Sequence, residues 1–157
     1  MRKKDKEISE PAIISEIIRS AAVCRLGLAR DDTPYVVPLV FGYDGKCIYI
    51  HTALEGKKID FIQANNRVCA EFEREVQIRS HPEKPCKWTV SFQSVIADGR
   101  IDELVDPEDK ITGLGHIMAH YADRSWVFDE KALAVTRVWR ITVTALTGKR
   151  SADRRSD

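Results

Sequence analysis

No stretch of this 157-residue chain approaches the ~20 consecutive apolar residues that cross a bilayer, so the sequence predicts no membrane role. Cysteine is sparse and scattered. Cys24, Cys47, Cys69 and Cys86 form no CxxC or CxxH pair, which argues against a zinc site or a redox dithiol and for reduced thiols in or near the core. Charge of one sign is lacking as well: 25 Lys and Arg against 24 Asp and Glu leave a net charge of +1. No overall field draws in nucleic acid, and the local KRSADRR run reads as a solvated end. Also missing are a P-loop, a paired-carboxylate motif and a Ser-His-Asp arrangement. The Gly113-x-Gly115 pair falls inside a helical pattern without its strand and turn. The opening MRKKDKEISE has no apolar signal core, so a cytoplasmic location is expected. Internal repeats are absent, which excludes solenoids.

What is present is an ordered alternation of patterns. Ile13, Ile14, Ile17, Ile18, Ala21 and Ala22 recur at helical spacing behind Ser9, the expected cap, with Glu10 and Pro11 in the first turn. CRLGLA, PYVVPLVFGY and KCIYIHT then read as three strands of a meander joined by Asp-, Gly- and Pro-bearing turns. EGKKIDFIQANN is a short helix stopped at Asn65-Asn66, and RVCAEFE alternates again. A polar loop with Pro82 and Pro85 leads into WTVSFQSVIADGRIDEL, a long strand with a bulge or bend expected at Gly99. A helix follows Asp106, with Pro107 in its first turn, and ALAVTRVWRITVTAL reads as the last strand. Strands that follow one another without long crossover helices favour an antiparallel closed sheet. The expected fold is therefore mainly β, a six-stranded antiparallel split barrel with peripheral helices, formed by one domain over residues 1–150 with a flexible basic tail at 151–157.

Chemistry concentrates in IYIHTALEGKK, where a strand ends in His51-Thr52 and a Gly-bearing turn delivers Lys57-Lys58 to a helix N-terminus. Imidazole and hydroxyl donors, two cations and free backbone N–H groups together suit a phosphate monoester. Cations in a first turn oppose the helix dipole, and a bound anion would account for them. The alternative is a pair of solvated lysines.

The succession PYVVPLVF, DG, IYIHT, EGKKID and SVIADGRI resembles the pyridoxamine 5'-phosphate oxidase-like FMN-binding split barrels. The basic start, the CRL strand and the TGKRS end are similar to the nitroimidazole-resistance branch, and the likeness runs over residues 2–151. It implies FMN held non-covalently at the interface of a homodimer. The ring would lie against residues 36–41, with main-chain groups near Val37, Pro38, Leu39 and Val40 at its edge. The phosphate would be held by His51, Thr52, Lys57 and Lys58. Lys-Lys stands where the oxidases have Arg-Lys, which keeps the charge without the bidentate fork. Alignment on Gly99 puts Ser94 where the oxidases carry a flavin-contacting Gln from the neighbouring subunit, with Gln93 on the opposite face. The oxidases' C-terminal Arg-x-His is missing, which argues against pyridoxal phosphate synthesis.

Two further features invite attention. His116 and His120 stand four apart, but no Glu follows the first, so no metal role is expected. Among Trp88, Phe92 and Trp126, Trp88 is the one aromatic retained as a possible roof over the flavin. The function expected is an FMN-dependent reductase passing electrons to a small electron-poor acceptor of the nitroaromatic kind, with His51 as a pocket-facing polar group. A non-catalytic module for flavin, deazaflavin or tetrapyrrole, or a scaffold without cofactor, stays open because one fold hosts unrelated functions.

Overall fold

Alternating burial along its strands lets one antiparallel sheet curl around a single apolar core. The computed structural model describes residues 4–151, and all strands pair antiparallel in the order β3-β2-β6-β7-β8-β5-β4, with β1 added to β8. The six long strands are β2 (Cys24–Arg30), β3 (Thr33–Leu39), β5 (Cys47–Thr52), β6 (Arg67–Arg79), β7 (Thr89–Leu104) and β8 (Arg137–Arg150). Two-residue segments, β1 (Glu7–Ile8) and β4 (Gly42–Tyr43), bring the total among the described residues to eight. This is the expected split barrel. Its seam lies beside β3, which among the described residues pairs with β2 alone.

The inward positions Leu26, Ile48, Ile50, Ala70, Phe72, Val95, Ala97 and Ile141 are fully buried and form the core. Helix α1 (Pro11–Ser20) adds Ile14, Ile17 and Ile18, and α2 (Lys57–Ala64) adds Ile59, Phe61 and Ile62. Helix α3 (Pro107–Tyr121) lies on the outside of the sheet, where Ile117 packs with Tyr49, Leu104 and Val138. Asp106 caps it by accepting from the backbone N–H groups of Glu108 and Asp109. No helix among the described residues is long and apolar enough to cross a membrane.

Several boundaries differ from expectation for physical reasons. Ser9 is not the cap of α1: Glu10 occupies that position, extended as a residue before proline must be, and makes no side-chain cap bond. PYVVPLVFGY is interrupted because Phe41 turns into the core, its N–H donating to the Tyr121 hydroxyl. Strand β6 continues past RVCAEFE to Arg79, with a register shift between Arg74 and Gln77 where Glu75 adopts φ +55°. ALA at 132–134 belongs to a short helix, α4 (Glu130–Ala134), capped by Asp129. The last strand runs through TGKR instead, and Ser151 still bonds the main chain of Phe92; residues 152–157 of the expected tail lie outside the described residues. The slip at Asp98/Gly99 in the β7–β8 pairing is the bend expected at Gly99.

Gly42 marks where α3 lies flush on the sheet, since a Cβ there would fall within contact distance of the His116 and Ile117 main chain. Gly42→Ala is expected to lower stability by about 1–3 kcal/mol, read from urea denaturation.

Candidate functional site

Strand β5 ends in His51 and Thr52, and because side chains alternate the two part company at once. Thr52 points inward and is buried; His51 is exposed. The Thr52 hydroxyl donates to the Ala53 carbonyl at 2.8 Å and accepts from Trp139 Nε1 at 3.0 Å. That satisfies the buried indole N–H and fixes the start of the loop at 53–56. Its proton is therefore already engaged within the chain, while the exposed His51 imidazole is open to a ligand.

The loop ends at Gly56, whose φ of +134° is a conformation that favours glycine. Gly56 is the N-cap of α2, so no side chain caps the helix, and Ile59 and Asp60 turn their N–H groups back to the Gly56 carbonyl. The first-turn N–H groups of Lys57 and Lys58 are left facing outward at the positive end of the helix. Lys57 Nζ sits over the Tyr35 ring at 4.7 Å and the Phe61 ring at 5.6 Å, which ties α2 to β3. Lys58 is half-buried and makes no hydrogen bond or ion pair among the described residues. Burial lowers its pKa, and burial followed by the Lys58 charge lowers that of His51. Both groups are thus short of a negative partner. The buried Cys24 thiol nearby is pushed up to about 12 by desolvation, so it stays protonated and cannot be that partner.

Beside this corner runs β3, an edge strand. Pro34 pairs with Ala29 and Pro38 with Arg25. Prolines cannot donate to a ladder, so these are the non-bonded pairs, and the bonds to β2 come from Tyr35, Val37 and Leu39. The main-chain groups of Val36 and Pro38 therefore face the open edge. Side chains follow the same alternation: Val37 and Leu39 pack on the core, while Val36 and Val40 are 63% and 43% exposed. Of the four positions expected at a ring edge, Pro38 presents its carbonyl outward, Val40 lies at the exposed strand end, and Val37 and Leu39 support them from inside. Val36 lies within the stretch 36–41 expected against the ring but is not among the four edge positions; the proline spacing is the signal that its main chain faces the edge.

Ser94 and Trp88 lie elsewhere. Ser94 sits on β7 between Glu73 and Lys149, with Gln93 on the opposite face bonded to Arg74 and Glu75. Trp88 stands just before the start of β7, 56% exposed, with its Nε1 donating to the His81 carbonyl. The corner adjoins the other end of β7, at Glu103. Nine steps of strand lead from Ser94 to Glu103, roughly 30 Å of contour at 3.3 Å per residue. Along β7, Ser94 and Trp88 lie toward the opposite end of the strand from the His51–Lys58 corner.

His120 and His116 also have structural roles. His120 Nε2 meets the Ala21 carbonyl at 2.8 Å and its ring packs on Phe41, while His116 stacks on Tyr49. No cluster suited to a metal occurs among the described residues. Two surface hollows, of about 950 Å³ around Gly27, Cys69 and Asp98 and about 260 Å³ around Gln77 and Arg150, include none of the expected site residues. The corner is built from a strand end and a helix start.

The fold and the anion-suited corner define a split-barrel protein. The family model for pyridoxamine 5'-phosphate oxidase matches residues 10–150, and the chain belongs to that family. It is 31% identical to a candidate 5-nitroimidazole antibiotic resistance protein of Bacteroides thetaiotaomicron, covering 92% of this chain and 86% of that one at a TM-score of 0.82. The FAD and heme binding protein of Mycobacterium smegmatis shares the fold at 14% identity, with 97% and 76% covered and a TM-score of 0.85. An uncharacterised protein of Rhizobium meliloti is 28% identical over 88 residues, 56% of this chain and 50% of its own length. The match thus spans about half of that curated relative.

Two outcomes check this corner. Lys58→Met removes a cause of the lowered His51 pKa, so the imidazole titration followed by NMR is expected to move upward. The sign for stability follows: wild-type His51 resists protonation when folded, so stability is lost as pH falls below its ordinary ~6.5, and the variant loses less. Thr52→Val leaves the buried Trp139 N–H unpaired and is expected to cost about 1–3 kcal/mol in thermal or urea denaturation.

Proposed function

We propose that the chain binds FMN in the cytoplasm as a homodimer and passes electrons from a reduced donor to small electron-poor acceptors of the nitroaromatic kind. The observation that carries this reading is the corner itself: two lysines, a helix N-terminus without a side-chain cap and an exposed imidazole whose pKa is lowered, with no ion pair to either lysine among the described residues although Asp60 stands in the same first turn. Lys57, Lys58, His51 and the first-turn N–H groups would hold the phosphate. The outward main-chain groups of Val36 and Pro38 would meet the ring edge. Thr52 serves indirectly, by fixing the loop. A bound flavin supplies the electron transfer, while the protein supplies binding, orientation and electrostatics.

The separation along β7 supports the dimer. Ser94 and Trp88, set apart from the corner along β7, would come to its flavin from a second chain, as the resemblance implies. The choice of FMN over FAD rests on the exposed corner suiting a terminal phosphate, and the acceptor class rests on the likeness to the candidate 5-nitroimidazole resistance protein.

FMN titrated into the purified protein, followed by flavin fluorescence, is expected to saturate near one per chain. Lys57→Ala/Lys58→Ala removes two charge-assisted contacts and is expected to weaken binding by at least about 100-fold. A wild-type protein that leaves FMN fluorescence unchanged would overturn the reading.

A further inference from the structure

We propose that Arg137, gripped by Glu103, is a positioning residue that sets the phosphate corner by bracing the loop at 53–56; this rests on the flavin reading above. The loop has little to hold it. Leu54 is 50% exposed, and among the described residues only two side chains bond its main chain. One is Thr52, on Ala53. The other is Arg137, whose Nη1 donates to the Leu54 carbonyl at 3.2 Å. The remaining guanidinium donors engage Glu103, Nε to Oε1 at 2.8 Å and Nη2 to Oε2.

This is a fork-to-fork pair across the last rungs of the β7–β8 ladder, where Leu104 pairs with Val138. The guanidinium carbon also lies 4.6 Å over the Trp139 ring, and Trp139 in turn bonds Thr52. Both braces on the loop therefore converge on one tryptophan. Two residues beyond Leu54, the chain must pass through Gly56 in its left-handed conformation and start α2 with its N–H groups and lysines aimed at one point. Without the brace, a glycine hinge and an exposed loop would set that aim.

A plain electrostatic role predicts the opposite of a brace in one variant. Glu103→Gln removes a negative charge near the corner, so Coulomb attraction alone would tighten binding of an anion. Its amide also turns an N–H toward one Arg137 donor and frees the fork, so a brace predicts weaker binding. Arg137→Lys keeps the charge, but an ammonium cannot span both Glu103 oxygens and Leu54.

The experiment measures FMN and riboflavin affinities of wild type, Glu103→Gln and Arg137→Lys, with amide hydrogen exchange at residues 53–58 in the flavin-free proteins. Expected are faster exchange in both variants, about tenfold weaker FMN binding, and riboflavin affinity unchanged because it has no phosphate. FMN affinity equal to or tighter than wild type in Glu103→Gln, unchanged exchange, or an equal loss for riboflavin would overturn the inference. If wild type binds no FMN, the flavin reading and the positioning role fall together, while exchange still reports whether the brace exists. Glu103→Gln is isosteric, and its melting curve separates a lost brace from a lost fold.

Discussion

The ladder between β7 and β8 is the constraint on which the rest of the molecule depends. It runs from Gln93 opposite Arg150 to Leu104 opposite Val138, with one slip at Asp98/Gly99 that leaves Thr144 as the extra residue on β8. Thr144 is tied in by its hydroxyl, which donates to the Asp98 carbonyl at 3.1 Å. A bulge increases local twist, and here it lets two strands this long wrap a core and not lie flat. Every other strand hangs on this pair: β6 and β2 on one side, β5 on the other, and β1 on the far end of β8. What the ladder places at its two ends therefore determines which side chains can cooperate. One end delivers Glu103 and Arg137 beside the end of β5; the other carries Ser94 and, beyond it, the arm bearing Trp88.

Polar groups at the corner end are arranged so that each buried one is satisfied by a neighbour that also does something else. Trp139 needs an acceptor for its indole N–H and finds Thr52; Thr52 needs somewhere to donate and finds Ala53. Leaving either group unpaired in the core would cost more than the bond itself is worth, which makes the arrangement hard to alter piecemeal. The Glu103–Arg137 pair is only partly exposed, so it is screened less than a surface pair, and its geometry more than its charge determines what it contributes. Lys58 is left out of this mutual satisfaction, whereas Lys57 rests over the Tyr35 and Phe61 rings. Lys58 has partial burial without an ion pair among the described residues, and that imbalance is what the proposed anion site would resolve.

Local patterns were legible wherever a residue's surroundings are its own sequence neighbours. Alternation in CRLGLA and CIYIHT, the Asp106 cap with Pro107, and the Asn65 stop of α2 all translate directly into elements. Ser9 misled because two competing signals overlap, and the restriction that Pro11 places on Glu10 won. Val76 and Ile78 alternate inside the polar EVQIR and continue β6 as an exposed arm, where no burial advertises a strand. The anion corner was readable because His51, Thr52, Lys57 and Lys58 lie within eight residues. Glu103, Arg137 and Trp139 were not, since a fork between residues 34 positions apart exists only once β7 and β8 are paired. Val36 falls between these cases: the prolines at 34 and 38 encode which groups face the edge, but only the pairing with β2 shows that the edge is open.

That open edge resolves an apparent contradiction in β3. An edge strand with exposed Val36 and Val40 would ordinarily invite another strand to add to it. Pro34 and Pro38 remove the outward donors on either side of Val36, so an incoming strand finds acceptors with a single N–H, from Val36, between them and cannot complete a ladder. A flat ligand edge makes smaller demands: one donor, one or two carbonyls and an apolar face. The same prolines that protect the barrel from strand addition thus leave a short, specific set of main-chain contacts beside the lysine corner. Lys57, stacked over Tyr35 of this strand, fixes the spacing between the two. Edge protection and the ligand contacts proposed for β3 would thus be a single consequence of where two prolines stand.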